Sequence, residues 1–264
     1  MSPDASPPAE RKAAAVNSGV HDATAAATDA ANVRLEKRRS AVVLLSGGLD
    51  SATTLAVALA EGFDCHALTV AYGQRHEIEI DRARSIALFF ATPHRTVNVD
   101  LASFGGSALT NVDDEIPHHA GSEIGAEIPS TYVPGRNTVL LSMALACAEP
   151  LDARHLFIGA NVLDYSGYPD CRPEFLQAFE KVANLGTKAG EDGGQPFRVH
   201  APLLNSTKAD IIRRGAELGV PFQLTHSCYD PVQDSLACGL CDACILRRKG
   251  FQDADIEDPT PYAG

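Results

Sequence analysis

The chain has 264 residues, 45% apolar and 21% charged, the make-up of a soluble protein with one sizeable core. Its 34 acidic side chains against 22 basic ones give a formal net charge of −12, which repels a phosphate backbone and argues against long nucleic acid as a partner. The longest apolar runs, residues 41–45 and 139–148, fall well short of the roughly 20 residues a membrane span needs.

Residues 1–39 are expected to be a disordered tail, because Ala, Pro, Ser, Thr and Asp dominate and little apolar surface is available to offset ordering. No apolar segment follows a basic start, as a secretory signal requires. Asp4, Glu10, Asp22, Asp29 and Glu36 are out of place in a transit peptide, and Arg38-Arg39 precedes too short an apolar run for export. A cytoplasmic location is therefore expected, where seven cysteines are not a disulfide framework. Cys65 and Cys147 sit in apolar stretches and read as small core residues.

From residue 40 onward, β-branched runs alternate with helical patterns. Residues 41–45 form a continuous apolar run, as a strand buried on both faces does. After Ser46-Gly47-Gly48 comes a helix over 50–60, a strand over 65–72, and a helix over 76–90 with Ala83, Ile86, Ala87 and Phe90 as its apolar stripe. A third strand at 96–99 leads into a long loop, 102–131, of a length that is usually functional. A buried helix is expected over 137–149 and a fourth strand over 156–161. Pro173 opens a helix where proline is tolerated, and 198–203 reads as a fifth strand. Thr207-Lys208-Ala209-Asp210 has the form of a capping box, with Gly219 and Pro221 ending that helix. Repeated β–α units imply an α/β fold: about five parallel strands with helices on both faces.

Ser46-Gly47-Gly48-Leu49-Asp50-Ser51 lies between the first strand and the first helix. Two glycines let backbone approach an anion, the helix amides point at it, and Ser46 and Ser51 add hydroxyls. Asp50 is out of place beside phosphate unless it holds Mg²⁺ or positions the loop. The loop is neither a Walker A motif nor G-x-G-x-x-G. Cys228, Cys238, Cys241 and Cys244, the last three spaced C-x-x-C-x-x-C, suit a closed four-sulfur Zn²⁺ site. An iron–sulfur cluster uses similar spacing, but the ferredoxin pattern continues differently after its third cysteine.

Three further blocks follow strands, where open α/β sheets bind ligands. They are Tyr72-Gly73-Gln74-Arg75-His76, residues 133–137 with Arg136 able to grip a carboxylate, and residues 161–171 with two aromatic faces for a planar heterocycle.

Residues 46–51 resemble the SGGxDS loop of the ATP pyrophosphatase, or PP-loop, superfamily. That resemblance implies ATP bound along Leu45, Ser46, Gly47, Gly48, Leu49, Asp50, Ser51, Ala52, Thr53, Thr54 and Leu55. It also implies substrate activation by adenylation, with Asp50 and Ser46 in the catalytic machinery and Lys208 near the phosphates. Together with Thr225-His226-Ser227-Cys228 and the cysteine run ending in Leu246-Arg247, the blocks resemble the 7-cyano-7-deazaguanine synthase family over about residues 41–251. The activity implied is ATP-dependent conversion of 7-carboxy-7-deazaguanine and ammonia to the nitrile preQ0, through an amide, in queuosine biosynthesis. The rival is a PP-loop tRNA-thiolating enzyme. Arg75, Arg136, Asp164 and Tyr165 are the expected substrate contacts, a homodimer is expected, and no protein nucleophile is required. The chain divides by this reading into a tail (1–39), an ATP-binding α/β domain (40–226), and a zinc segment with a short tail (227–264).

Overall fold

The computed structural model describes residues 39–76, 78–111, 113–118, 128–163, 168–232 and 236–263. The tail expected over 1–39 lies outside them except for Arg39. Five strands form one sheet: β1 (Ser40–Leu44), β2 (Asp64–Ala71), β3 (His94–Asn98), β4 (His155–Phe157) and β5 (Arg198–His200). Their order is β3-β2-β1-β4-β5, and every neighbouring pair is parallel. The helices are α1 (Leu49–Ala60), α2 (Ile78–Phe89), α3 (Arg136–Ala148), α4 (Pro173–Leu185), α5 (Lys188–Glu191), α6 (Lys208–Glu217) and α7 (Asp242–Ala254).

The pleat of β1 explains the two layers. Ala41 and Val43 join one apolar cluster with Leu55 of α1, Ile86 of α2, Ile211 and Ile212 of α6, and Phe251 of α7. Val42 and Leu44 join the opposite cluster with Leu141 and Ala144 of α3 and Phe179 of α4. A strand covered on both faces must be apolar at every position, which is why residues 41–45 show no alternation. No helix among the described residues is long and apolar enough to cross a membrane.

Pro173 stands in the first turn of α4. The α6 capping box is complete: Thr207 Oγ1 accepts the Asp210 amide and Asp210 Oδ2 accepts the Thr207 amide, both at 3.2 Å. Two strands are shorter than expected. β5 stops at His200, and Pro202 has no amide to extend a ladder. β4 stops at Phe157; Gly159, just beyond it, lies so close to α1 that a Cβ there would sit 3.2 Å from the Ser51 nitrogen. Helix α7 was not foreseen.

A third cluster lies beyond the sheet. Leu101, Ala108, Leu109, Ile116 and Val133, all flanking or within the long loop, pack with Cys228, Cys238, Cys241 and Cys244. His118 forms an isolated bridge with Cys241, so the loop that follows β3 covers the cysteine cluster.

Candidate active site

From β1 the chain runs outward on one side to β2 and β3, then returns across β1 to place β4 and β5 on the other. The connections after β1 and β4 therefore part in opposite directions, and a crevice opens at the strands' carboxyl ends. A cavity of about 280 Å³ occupies it. Leu45, Ser46, Gly48, Leu49, Asp50, Ser51, Arg75, Arg136 and Lys208 all line it, so the fold brings these nine expected site residues together. Ala52, Thr53, Thr54 and Leu55 turn into the core instead. The Thr53 and Thr54 hydroxyls donate to the Leu49 and Asp50 carbonyls, both at 2.9 Å, within α1. Asp164 and Tyr165 lie outside the described residues.

The glycine turn is shaped from within and behind. Ser46 Oγ donates to Ser51 Oγ at 3.0 Å, Ser51 Oγ accepts the Ser46 amide at 3.1 Å, and it donates to the Gly48 carbonyl at 3.0 Å. Gly47 has φ +89°, and a Cβ there would stand 2.2 Å from the Glu79 carbonyl oxygen, so only glycine lets α2 pack against the turn. The Gly47 carbonyl accepts the His226 amide at 2.9 Å. No side chain caps α1, which leaves its N-terminal end suited to an anion.

Asp50 and Lys208, 158 positions apart, meet as an ion pair: Nζ lies 2.8 and 2.9 Å from the two carboxylate oxygens. Their side chains are 30% and 15% exposed, so the pair faces the cavity rather than bulk water. Gly250 of α7 makes room for the lysine, since a Cβ there would fall 2.3 Å from Lys208 Cγ. Thus Asp50 is compensated by a lysine of the chain itself, a partner the sequence did not reveal.

Arg136 begins α3, where a cation opposes the helix dipole. It donates to the Tyr72 hydroxyl at 3.4 Å and sits 5.7 Å from that ring's centre. Burial works against its charge, but Tyr72, Tyr229 and Tyr168 around it hold its pKa above the ordinary arginine value. A half-buried cation beside aromatic faces suits a planar carboxylate. Arg75 lies at the rim, donating to the Asp114 carbonyl at 2.9 Å and the Ala108 carbonyl at 3.4 Å. Glu79 also lines the cavity; the sequence reading missed it because nothing in the α2 pattern marks one acid among several.

Cys171 lines the same wall, and burial first, then Asp170, pushes its thiol up to about 11. Asn137 Nδ2 donates to it at 3.4 Å. A packed thiol with a raised pKa holds little of the thiolate that nucleophilic attack needs. Cys65 is likewise a core residue, held near 12 by burial and then by Asp64.

The four cysteines of the C-terminal segment are all buried, with their sulfurs within 4.8 Å of one another. A tetrahedral Zn²⁺ with bonds of about 2.3 Å requires sulfurs roughly 3.8 Å apart, so a small adjustment closes the site. The amides of Asp230 and Cys238 donate to Cys228 Sγ at 3.3 and 3.2 Å, and those of Leu240 and Cys241 to Cys238 Sγ at 3.4 and 3.3 Å. Such donors stabilise thiolates and orient them for a metal. Arg247, 2% exposed, fastens this segment: Nε donates to both Asp258 oxygens at 3.1 and 3.2 Å, and Nη1 to Thr225 Oγ1 at 2.8 Å. The wall of the cavity at His226, Ser227 and Cys228 is thereby tied to α7 and the C-terminal tail.

A switch-point crevice with a glycine turn on one lip, and a half-buried cation across it, is the kind of site in which an α/β protein can take a nucleotide beside an acidic small molecule. The family model for queuosine biosynthesis protein QueC matches residues 40–255, and the chain belongs to that family. The 7-cyano-7-deazaguanine synthases of Anaeromyxobacter sp. (strain Fw109-5) and Syntrophotalea carbinolica (strain DSM 2380 / NBRC 103641 / GraBd1) are each 59% identical over 226 residues. The matches cover 85% of this chain and 96% and 97% of those proteins. A 4-thiouridine synthetase–RNA complex with bound ATP is similar at TM-score 0.48 and 20% identity, over 81% of this chain and 53% of that one.

Proposed function

We propose that this chain is an ATP-dependent carbon–nitrogen ligase that converts 7-carboxy-7-deazaguanine and ammonia to 7-cyano-7-deazaguanine in queuosine biosynthesis. The observation that carries the reading is the family match across residues 40–255, which spans the glycine turn, Arg136, Lys208 and the cysteine cluster. The chemistry follows from leaving groups. A carboxylate oxygen does not depart until adenylylated; ammonia then displaces AMP to give an amide, and the amide oxygen needs a second activation before it leaves as the nitrile forms. Ser46, Gly48 and Ser51 cradle the phosphates, Lys208 faces the developing negative charge, and Arg136 holds the substrate carboxylate.

Asp50 is the carboxylate we assign to Mg²⁺, which when bound neutralises phosphate charge. Cys228, Cys238, Cys241 and Cys244 would hold Zn²⁺ in a closed, structural role. We read the active form as a homodimer in the cytoplasm, without a nucleic-acid partner, and the tail, ATP-binding domain and zinc segment as its divisions. Arg75, Asp164 and Tyr165 complete the substrate contacts in this scheme.

The test is to incubate the protein with the carboxylate, ATP and ammonium and weigh the product; recovery of only unchanged carboxylate rejects the reading. The two-activation scheme further predicts that 7-amido-7-deazaguanine is converted with ATP and without ammonia. An inert amide, or conversion without ATP, would overturn that scheme alone.

A further inference from the structure

Between ammonia and a nitrile nitrogen every N–H bond is broken, so the reaction must hand protons to some acceptor in the cavity. Among the described residues lining it, only Asp50 and Glu79 are carboxylates, and Asp50 is paired with Lys208. Glu79 has no hydrogen-bond or ion-pair partner among the described residues. Its helix cannot drift from the phosphate turn, because the Glu79 carbonyl packs where a Gly47 Cβ would be. Arg136, the residue assigned to the substrate carboxylate, is the nearby charge that acts on Glu79. Glu79 thus lines the cavity with an unengaged, partly buried carboxylate within the field of Arg136, on a helix packed against the glycine turn.

We propose that Glu79 is a catalytic base, which accepts the N–H proton as ammonia attacks the activated carboxyl carbon. This rests on the ligase reading above. The nitrogen lone pair forms the C–N bond, the C–O bond to AMP breaks, AMP leaves with that electron pair, and one N–H proton passes to the Glu79 carboxylate. The products are the amide, AMP and protonated Glu79, which releases its proton to solvent; nothing is oxidised or reduced. In the second half the two remaining N–H protons leave as the amide oxygen is activated and expelled, and the same carboxylate is within the cavity to take them.

The electrostatics agree with that cycle. Burial raises the Glu79 pKa to about 7, with Arg136 pulling against it. The other titratable and charged groups lining the cavity are Tyr72 after β2, Arg75 and His76 ahead of α2, the Asp50–Lys208 pair, Tyr168 and Cys171, His226, Cys228 and Tyr229 behind the turn, and Arg247 on α7. A group poised near neutrality gives up and regains a proton at low cost in either direction. Adenylation also removes the negative charge of the substrate carboxylate, which favours ionised Glu79 at the moment a base is needed.

The experiment compares wild type with Glu79→Gln, which keeps shape and removes basicity. Expected are a fall in kcat of about 100-fold or more, KM for the carboxylate and ATP within about threefold, and undiminished adenylate formation when ammonia is withheld. The wild-type rate, plotted against free ammonia, should fall on the acid side with an inflection near pH 7 that is lost in Glu79→Gln. Near-normal kcat overturns the proposal, as does a defect confined to KM, which would make Glu79 a binding group. If Glu79→Gln does not fold, Glu79→Asp decides: the limb must persist with a shifted midpoint, and a profile without that limb overturns the proposal. Failure of wild type to form nitrile condemns the ligase reading instead.

Discussion

Asp50 and Lys208 each look misplaced until they are seen together. A carboxylate beside a phosphate turn is repulsive, and a lysine with little exposure to water is costly, but at 2.8 Å each compensates the other. Removing one leaves an uncompensated charge in the cavity. Asp50→Asn and Lys208→Met should each lower kcat by at least about 100-fold while circular dichroism stays native. The double variant should be far less impaired than the product of the two, because the residues act as a unit. Strict multiplicativity would show that they act independently. Asp50 was recognisable in the sequence by its place in the hexapeptide, and Lys208 by resemblance alone. Their contact was not, because 158 positions of intervening chain hide it. Glu79 carried no signal of its own, being one acid among several in α2.

At the level of helices and strands, the sequence was informative wherever one local cause dominates. Continuous apolar runs marked the central strands, Pro173 marked the start of α4, and Thr207 with Asp210 marked the start of α6. It was silent on α7, whose sequence is polar and interrupted by Gly250, a poor helix residue. The packing supplies the missing reason: α7 crosses α6 where only glycine leaves space for the Lys208 stem. Gly250→Ala should therefore reduce both stability and turnover, the second through displaced Lys208; a loss of stability with unchanged kcat would mean that the lysine is not disturbed. A different element pair governs acid sensitivity. His155 of β4 and His200 of β5 touch at 2.9 Å through Nδ1 and Nε2, with His155 edge-on to Phe63 and His200 stacked on Phe157. Burial, then His200 and nearby arginines, depress His155 to about 4, and burial also lowers His200. Both are neutral in the fold, so their contribution is complete above pH 6.5 and is lost as pH falls toward 4. Urea midpoints should drop across that window, and His155→Gln should flatten the drop; an unchanged slope would remove the pair as its cause.

Across the whole molecule, the cavity is bounded by segments far apart in the sequence. The turn after β1 forms one lip, and residues 226–229, anchored by the cysteines and by Arg247, form another. Metal loss should thus affect nucleotide affinity by loosening this wall. Chelation, or Cys241→Ser, is expected to lower Tm and weaken ATP binding, measured by calorimetry, and added Zn²⁺ should restore both in the chelated protein. Stoichiometric iron with sulfide in anaerobically purified protein would refute the zinc assignment. The contact between the His226 amide and the Gly47 carbonyl has a consequence for biosynthesis of the protein itself. Synthesis runs from the amino terminus, so the phosphate turn emerges from the ribosome long before the residue that braces it. A nascent chain has the turn but not its brace, and the braced turn arises only once residue 226 has been made.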